Sequence, residues 1–268
     1  MSKQMKFKYQ GNIQKMQIVC YLWGILILLC LVVMINTIKF WTKMQNNLWI
    51  SQQTLDQHTD QVYCLIIGNK EDLIISGSKD QSIIFWGRQN QWLKLQSINT
   101  HKDCLYSLCL NEQSNTLISC GRDNKILVIK QENMIWVVTQ TIELESFGYR
   151  VCYINNNTFS FQPNNSNKLQ IYQLKDNLYH KAKEILTMDG SECDLFFPSK
   201  FIKQKSILVN KNGKYVNFLY LNQNFEFNLA HSIQYNNSQV FGTVSEDGEY
   251  LLTWDSEVKE ISIKKCIN

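Results

Sequence analysis

Proline is almost missing from this chain: there are two in 268 residues, beside eleven glycines. That excludes collagen-like repeats and proline-rich linkers. Metal-binding spacing is missing as well. None of the nine cysteines forms a Cys-x-x-Cys pair and the four histidines are scattered, so no metal and no cofactor is expected. The cysteine count is odd and most fall at apolar strand positions, which reads as free buried thiols of a reducing compartment. The formal charge of +4 is spread thinly, with no basic run beyond the N-terminus, so nucleic acid is not an expected partner. There is no Gly-x-Ser-x-Gly elbow, no His-Glu-x-x-His and no phosphate-cradling glycine loop, which removes the commonest signatures of hydrolases, metalloproteases and nucleotide-binding enzymes.

What is present suits a globular protein. Hydrophobic residues make up 44% and aromatics 12%, enough for a large core in a chain of this length. Residues 1–17 form a basic segment with Lys3, Lys6, Lys8 and Lys15 and no acid. Ile18 to Ile35 then run for 18 residues without a charge or an amide, close to the ~20 that cross a bilayer as a helix. The run is long for a signal-peptide core and no small-x-small cleavage site follows it. It reads as one transmembrane α-helix over 18–35, a single-pass membrane anchor, followed by a linker over 36–47. Four lysines before it against Lys39 and Lys43 after it favour a cytoplasmic N-terminus, whereas the free cysteines favour a reducing, cytoplasmic site for the rest. The side of the membrane stays open.

Beyond the linker the chain repeats. From His58 to Trp86, three apolar runs alternate with clusters of Gly, Asn, Asp and Ser, the pattern of consecutive antiparallel strands. Moving His58, Ser76, Asp80 and Trp86 forward by 43 positions gives His101, Ser119, Asp123 and Ile129. Three of four residue types recur in register, and a period near 43 points to propeller blades. A second series agrees: Trp49, Trp92, Trp136, Tyr179 and Phe227 each open a strand-like stretch. They mark five units near 48–91, 92–135, 136–178, 179–226 and 227–268.

The stretch Ser-Gly-Ser-Lys-Asp-Gln-Ser-Ile-Ile-Phe-Trp at 76–86, with a His 22 residues before Asp80, resembles a WD40 repeat. The resemblance is strong over 48–91, good over 92–135 and fades beyond. It implies an all-β propeller of about five blades over 48–268. It also implies a structural tetrad of His58, Ser76, Asp80 and Trp86, and a second, partial one of His101, Ser119 and Asp123. Each unit is then an outer strand D followed by strands A, B and C of the next blade. In the third unit Leu144 takes the His slot and Tyr172 the Trp slot, and Asn155–Asn167 reads as an Asn-rich loop where strand B is due. The fourth keeps a hairpin with an Asn-Gly turn at Asn212-Gly213. In the fifth, Thr253, Glu257 and Ile263 take the Ser, Asp and Trp slots.

His58, Ser76 and Asp80 are also the residue types of a hydrolytic triad. An active site has no reason to recur 43 residues later, so the structural reading prevails and the protein is not expected to be an enzyme. A non-catalytic scaffold for other proteins, held at a membrane through 18–35, is the expectation; a truncated propeller without independent function and a hydrolase are its rivals. The loops between strands D and A and between B and C offer Asp60, Lys79, Lys102, Asp103, Arg122, Tyr149 and Arg150 as partner-binding residues. Finally, the last blade ends at strand C near Ile261–Lys264 while Leu48–Leu55 is a strand D without a blade. Pairing the two would close a ring of five and hide both edges.

Overall fold

The computed structural model describes residues 28–32, 36–44, 48–188, 193–195, 197–257 and 259–265. These form twenty-two strands, all paired antiparallel, in six sheets. Five sheets between Val62 and Lys265 are the five blades expected from the repeat. The first contains β4 to β7 (Val62–Ile67, Leu73–Ser78, Ile83–Arg88, Trp92–Ile98) and the second β8 to β11 (Leu105–Leu110, Thr116–Gly121, Lys125–Glu132, Ile135–Glu143). The third contains β12 to β15 (Gly148–Asn155, Thr158–Pro163, Lys168–Lys175, Leu178–Leu186) and the fourth β16 to β19 (Lys200–Ile202, Ile207–Asn212, Tyr215–Leu221, Phe227–Gln234). Among the described residues the fifth has three strands, β20 to β22 (Val240–Val244, Tyr250–Asp255, Glu260–Lys265). Ahead of them lies a further three-stranded sheet of β1 (Leu28–Val32), β2 (Ile38–Lys43) and β3 (Trp49–Leu55).

That leading sheet bears on three expectations. Leu28–Val32, within the stretch read as a membrane helix, is a strand paired with Ile38–Lys43. Residues 18–27 and 33–35 of that stretch lie outside the described residues, and among the described residues no helix is long and apolar enough to cross a membrane. The expected linker, 36–47, contains β2. Nor is Trp49–Leu55 paired with the C-terminal strand: it is bonded to β2, with Phe40 opposite Gln53, and β22 to β21 in a separate sheet. Asn155–Asn167 is a correction: its middle, Thr158–Pro163, is strand β13. Thr-Phe-Ser-Phe-Gln alternates in polarity, and the asparagines serve only the turns on either side.

The turns account for the composition. Two-residue hairpins that follow strand twist need positive φ at both central residues, where glycine is the usual choice. Here Asn133 and Met134 (φ 49° and 69°) and Asp176 and Asn177 (φ 51° and 64°) occupy those positions. Asn and Asp tolerate the left-handed region better than other side chains, so a chain poor in glycine still turns tightly.

Among the described residues the core is a series of five clusters, each between neighbouring sheets. Ile38, Phe40 and Leu55 of the leading sheet pack on Leu65, Ile74 and Trp86. Ile75, Phe85 and Ile83 pack on Leu108, Leu127 and Trp136. The series ends with Ile202, Val209 and Val216 against Val244 and Leu251. The aromatic that opens each outer strand reaches back to the preceding sheet: Trp92 stacks on Phe40 (5.6 Å) and Trp136 on Phe85 (4.9 Å).

A ladder of glutamines binds the same outer strands. The side chain of Gln53 accepts from Trp92 N (2.9 Å) and donates to Trp92 O (2.7 Å). Gln96 does the same to Trp136 (2.8 and 2.6 Å) and Gln140 to Tyr179 (2.8 and 2.8 Å). In each case the glutamine lies opposite Phe40, Phe85 or Val128 of its own hairpin, next to a β-bulge that re-aims the strand. Each amide thus satisfies one outward N–H and one C=O of the neighbouring edge, which would otherwise invite foreign strands.

Candidate functional site

Two buried polar networks hold the first two blades. His58 precedes β4, Ser76 lies on β5, Asp80 in the β5–β6 turn and Trp86 on β6. Ser76 Oγ accepts from Trp86 Nε1 (2.8 Å) and lies 2.7 Å from His58 Nε2. His58 Nδ1 faces Asp80 Oδ2 at 2.9 Å. The chain of donors assigns the tautomer: the indole donates to the serine, the serine to Nε2, and Nδ1–H to the carboxylate. Asp80 accepts further bonds from Thr59 N and Ser82 N, both at 2.9 Å. Burial alone would raise the Asp80 carboxyl, but the bonds from His58 and Ser82 hold it well below the usual carboxylate range.

The second network repeats the first without its indole. His101 Nδ1 faces both oxygens of Asp123 at 3.0 Å, and His101 Nε2 is 2.9 Å from Ser119 Oγ. Asp123 also accepts from Lys102 N at 2.9 Å. Against burial, these bonds and the histidine beside it hold the Asp123 carboxyl low. Ile129 packs among the core side chains where Trp86 stands in the first blade. In the fifth blade Tyr235 OH meets Thr253 Oγ1 at 3.2 Å, an arrangement with the same spacing as His58 and Ser76. The sequence reading identified Thr253 in this pair but not Tyr235.

These serines are not nucleophiles. Ser76 and Ser119 are fully buried, and His58 and His101 are 2% exposed, so no substrate carbonyl reaches them. The networks tie the loop before each blade to the turn between its second and third strands, and so fix the face on which both lie.

That face carries a feature the sequence reading overlooked. Tyr63, Tyr106 and Tyr149 are the second residues of β4, β8 and β12, spaced by 43. Since these innermost strands lie side by side, the rings meet. Tyr63 and Tyr106 are 5.9 Å apart, Tyr106 and Tyr149 4.8 Å, and Phe147 adds contacts to both Tyr106 (6.0 Å) and Tyr149 (5.5 Å). All four are half-buried. Burial raises the tyrosine hydroxyls, which stay protonated, and the Arg122 guanidinium acts on all three.

Of the residues expected to meet a partner, Asp60 and Lys79 form an exposed ion pair (3.2 Å). Asp103 accepts from Cys104 N (2.7 Å), Lys102 is exposed, and Arg122 and Tyr149 belong to the aromatic rim. Arg150 is a correction: it is 3% exposed. Its Nε donates to Phe197 O (2.6 Å), its Nη2 to Asp194 O and its Nη1 to Cys193 Sγ (2.9 Å). It clamps the segment before β16 rather than facing solvent. Lys211, fully buried, donates to Ser238 O (2.8 Å) and lies 3.7 Å from the same sulfur. Burial, then the charge of Arg150, draws the Lys211 ammonium down to about 8. Burial pushes the Cys193 thiol up, but Arg150 and Lys211 outweigh it and the thiol is lowered.

Meandering four-stranded sheets stacked face to face, with their first strands innermost, define a β-propeller. The family model described as "WD domain, G-beta repeat" matches residues 49–87 and 92–130, the stretches that hold the two networks. A chain in the solved structure described as "Crystal Structure of Mitotic Checkpoint Complex" matches with a TM-score of 0.73 at 12% identity, over 90% of this chain and 74% of that one. No curated protein matches the sequence. Residues 49–87 and 92–130 thus match WD40 repeats, and the chain shares the β-propeller fold.

Proposed function

We propose that this propeller is a non-catalytic scaffold that binds other proteins through the aromatic rim of Tyr63, Tyr106, Phe147 and Tyr149, with Arg122 beside it. Four half-exposed rings in mutual contact, framed by Asp60, Lys79, Lys102 and Asp103, carry this reading. Tyrosine and arginine offer large contact area at little entropic cost and dominate protein interfaces. The rim stands on strands fixed by the buried networks, so the surface is ordered before a partner arrives. Propellers of this family typically serve protein interaction, and the structural match lies in a multiprotein complex.

The test is comparative capture under reducing conditions. Proteins retained by the native chain should be lost with Tyr106→Ala and with Arg122→Glu. They should stay with Tyr250→Ala, which alters an exposed tyrosine of the fifth blade. Equal capture by all three variants, at unchanged melting temperatures, refutes the rim as the docking surface.

A further inference from the structure

Two buried cations and a thiol meet where the third, fourth and fifth blades adjoin. Arg150 comes from β12 and Lys211 from β17, Ser238 just precedes β20, and Cys193 stands in the segment between β15 and β16. Arg150 Nη1 donates to Cys193 Sγ at 2.9 Å and Gly213 N at 3.3 Å, and Lys211 Nζ stands 3.7 Å from the same sulfur. Among the described residues the other partners of the two cations are backbone carbonyls: Phe197 O and Asp194 O for Arg150, and Ser238 O for Lys211. The sulfur is thus the group on which both charges converge, and they favour its thiolate.

Neither cation follows from the repeat. Counting back by 43 from Arg150 gives Ser107, and by 43 again Cys64. Lys211 lies opposite Val216 as Gly77 lies opposite Ile83 and Cys120 opposite Ile126, so glycine and cysteine hold its place in the first two blades. A fully buried ammonium is costly at a position that a small or apolar residue fills elsewhere. Such a break with the local rule marks a position kept for something other than packing.

We propose that Cys193 and Lys211 are an oxidative cross-linking pair, which hydrogen peroxide converts into a sulfur–nitrogen bond. The Cys193 thiolate attacks one peroxide oxygen and the O–O bond breaks. The departing hydroxide takes a proton from the Lys211 ammonium and leaves as water. Sulfur is oxidised to a sulfenic acid, the peroxide is reduced, and Lys211 is left as a neutral amine. Its Nζ then attacks Sγ, the S–O bond breaks, and the hydroxyl leaves with an amine proton as a second water. At 3.7 Å the nitrogen already stands near bonding approach. Burial and the charge of Arg150 draw Lys211 toward the neutral form that this second step needs. Cys193 is half-buried, which admits a molecule as small as peroxide, and the described cysteines are all free. The new bond staples the segment before β16 to β17, and thiols reopen it.

The test is peptide mapping of the full-length chain, reduced, treated with hydrogen peroxide and digested without reductant. Peptides joined through Cys193 and Lys211 are expected, lighter by two hydrogens than their sum, and dithiothreitol should separate them. Lys211→Arg should abolish the joined pair and leave Cys193 open to dimedone, which traps sulfenic acids. In the native chain, Cys193 found as a dimedone adduct, a disulfide or an unreacted thiol, with Lys211 still open to acetylation, overturns the proposal. That reading needs no substitution, so it holds even if the Lys211 variant folds poorly. A linkage at Cys193 that persists in folded Lys211→Arg overturns the assignment of its partner.

Discussion

Replacing Asp80 by alanine removes the acceptor at the centre of the first network. The carboxylate receives His58 Nδ1, Thr59 N, Ser82 N and Ser82 Oγ. Thr59 is exposed and water can serve its amide. His58 is not: at 2% exposure its Nδ1–H is left with only Ser82 Oγ, 3.1 Å away. A buried donor that loses a charged acceptor costs roughly 1–3 kcal/mol, and the two bonds to Ser82 add about 1 more, so Asp80→Ala should destabilise the domain by ~2–4 kcal/mol. Asp123 receives only His101 and Lys102 N, and its network ends at Ser119 without an indole. Asp123→Ala should therefore cost less, ~1–2 kcal/mol. Urea melts at pH 7 measure both. The same pair predicts a pH dependence. Both carboxyls titrate lower in the folded than in the unfolded chain, whose aspartates titrate near 4. Their stabilisation is thus complete above about pH 4 and lost as the pH falls through that value toward the folded ones. Asp80→Ala should flatten the acid limb of the stability curve. Equal losses in the two mutants, or losses near zero, would refute the network as a source of stability.

Two further outcomes are expected. Gln53→Ala and Gln96→Ala should each cost about 1–2 kcal/mol in denaturant melts, since each amide makes two bonds to a neighbouring edge. The double mutant should be additive because the two ties bridge different pairs of sheets. Cys193, lowered by Arg150 and Lys211, should be alkylated by iodoacetamide near neutral pH faster than Cys120, whose thiol burial pushes up. Arg150→Met should slow that reaction, as read by mass spectrometry of the labelled peptides.

The first two blades were legible because their signals are local and periodic. His58, Ser76, Asp80 and Trp86 are spaced by the geometry of one hairpin pair, and any chain that builds the network must keep those intervals. Strand β13 escaped notice because short strands carry little signal beside asparagine-rich turns. Strand β1 lies within an unbroken apolar run, which does not reveal its period, and β2 follows it with two lysines that read as the flank of a membrane segment. Arg150 looked like a rim residue because it follows Tyr149. Its partners Cys193, Asp194 and Phe197 lie more than forty positions away, in a segment with no repeat to place it. Tyr149 was among the expected partner-binding residues, and Tyr106 and Tyr63 could have been found from it by the spacing of 43 alone. Those two passed unremarked because tyrosine at the start of a strand is unexceptional until neighbouring strands bring the rings together.

The serial arrangement of the hydrophobic clusters has a kinetic consequence. Each cluster is shared by two adjacent sheets, so a stack with free ends can peel one layer at a time, losing one shared interface per step. Joining the ends changes this: the first layer to leave must break two interfaces at once, and the barrier to departure rises for every layer. The glutamine straps act on the same coordinate, because each must be undone before its neighbour can swing away. The lifetime of the folded protein, more than its equilibrium stability, is then set by whether the first and last layers meet.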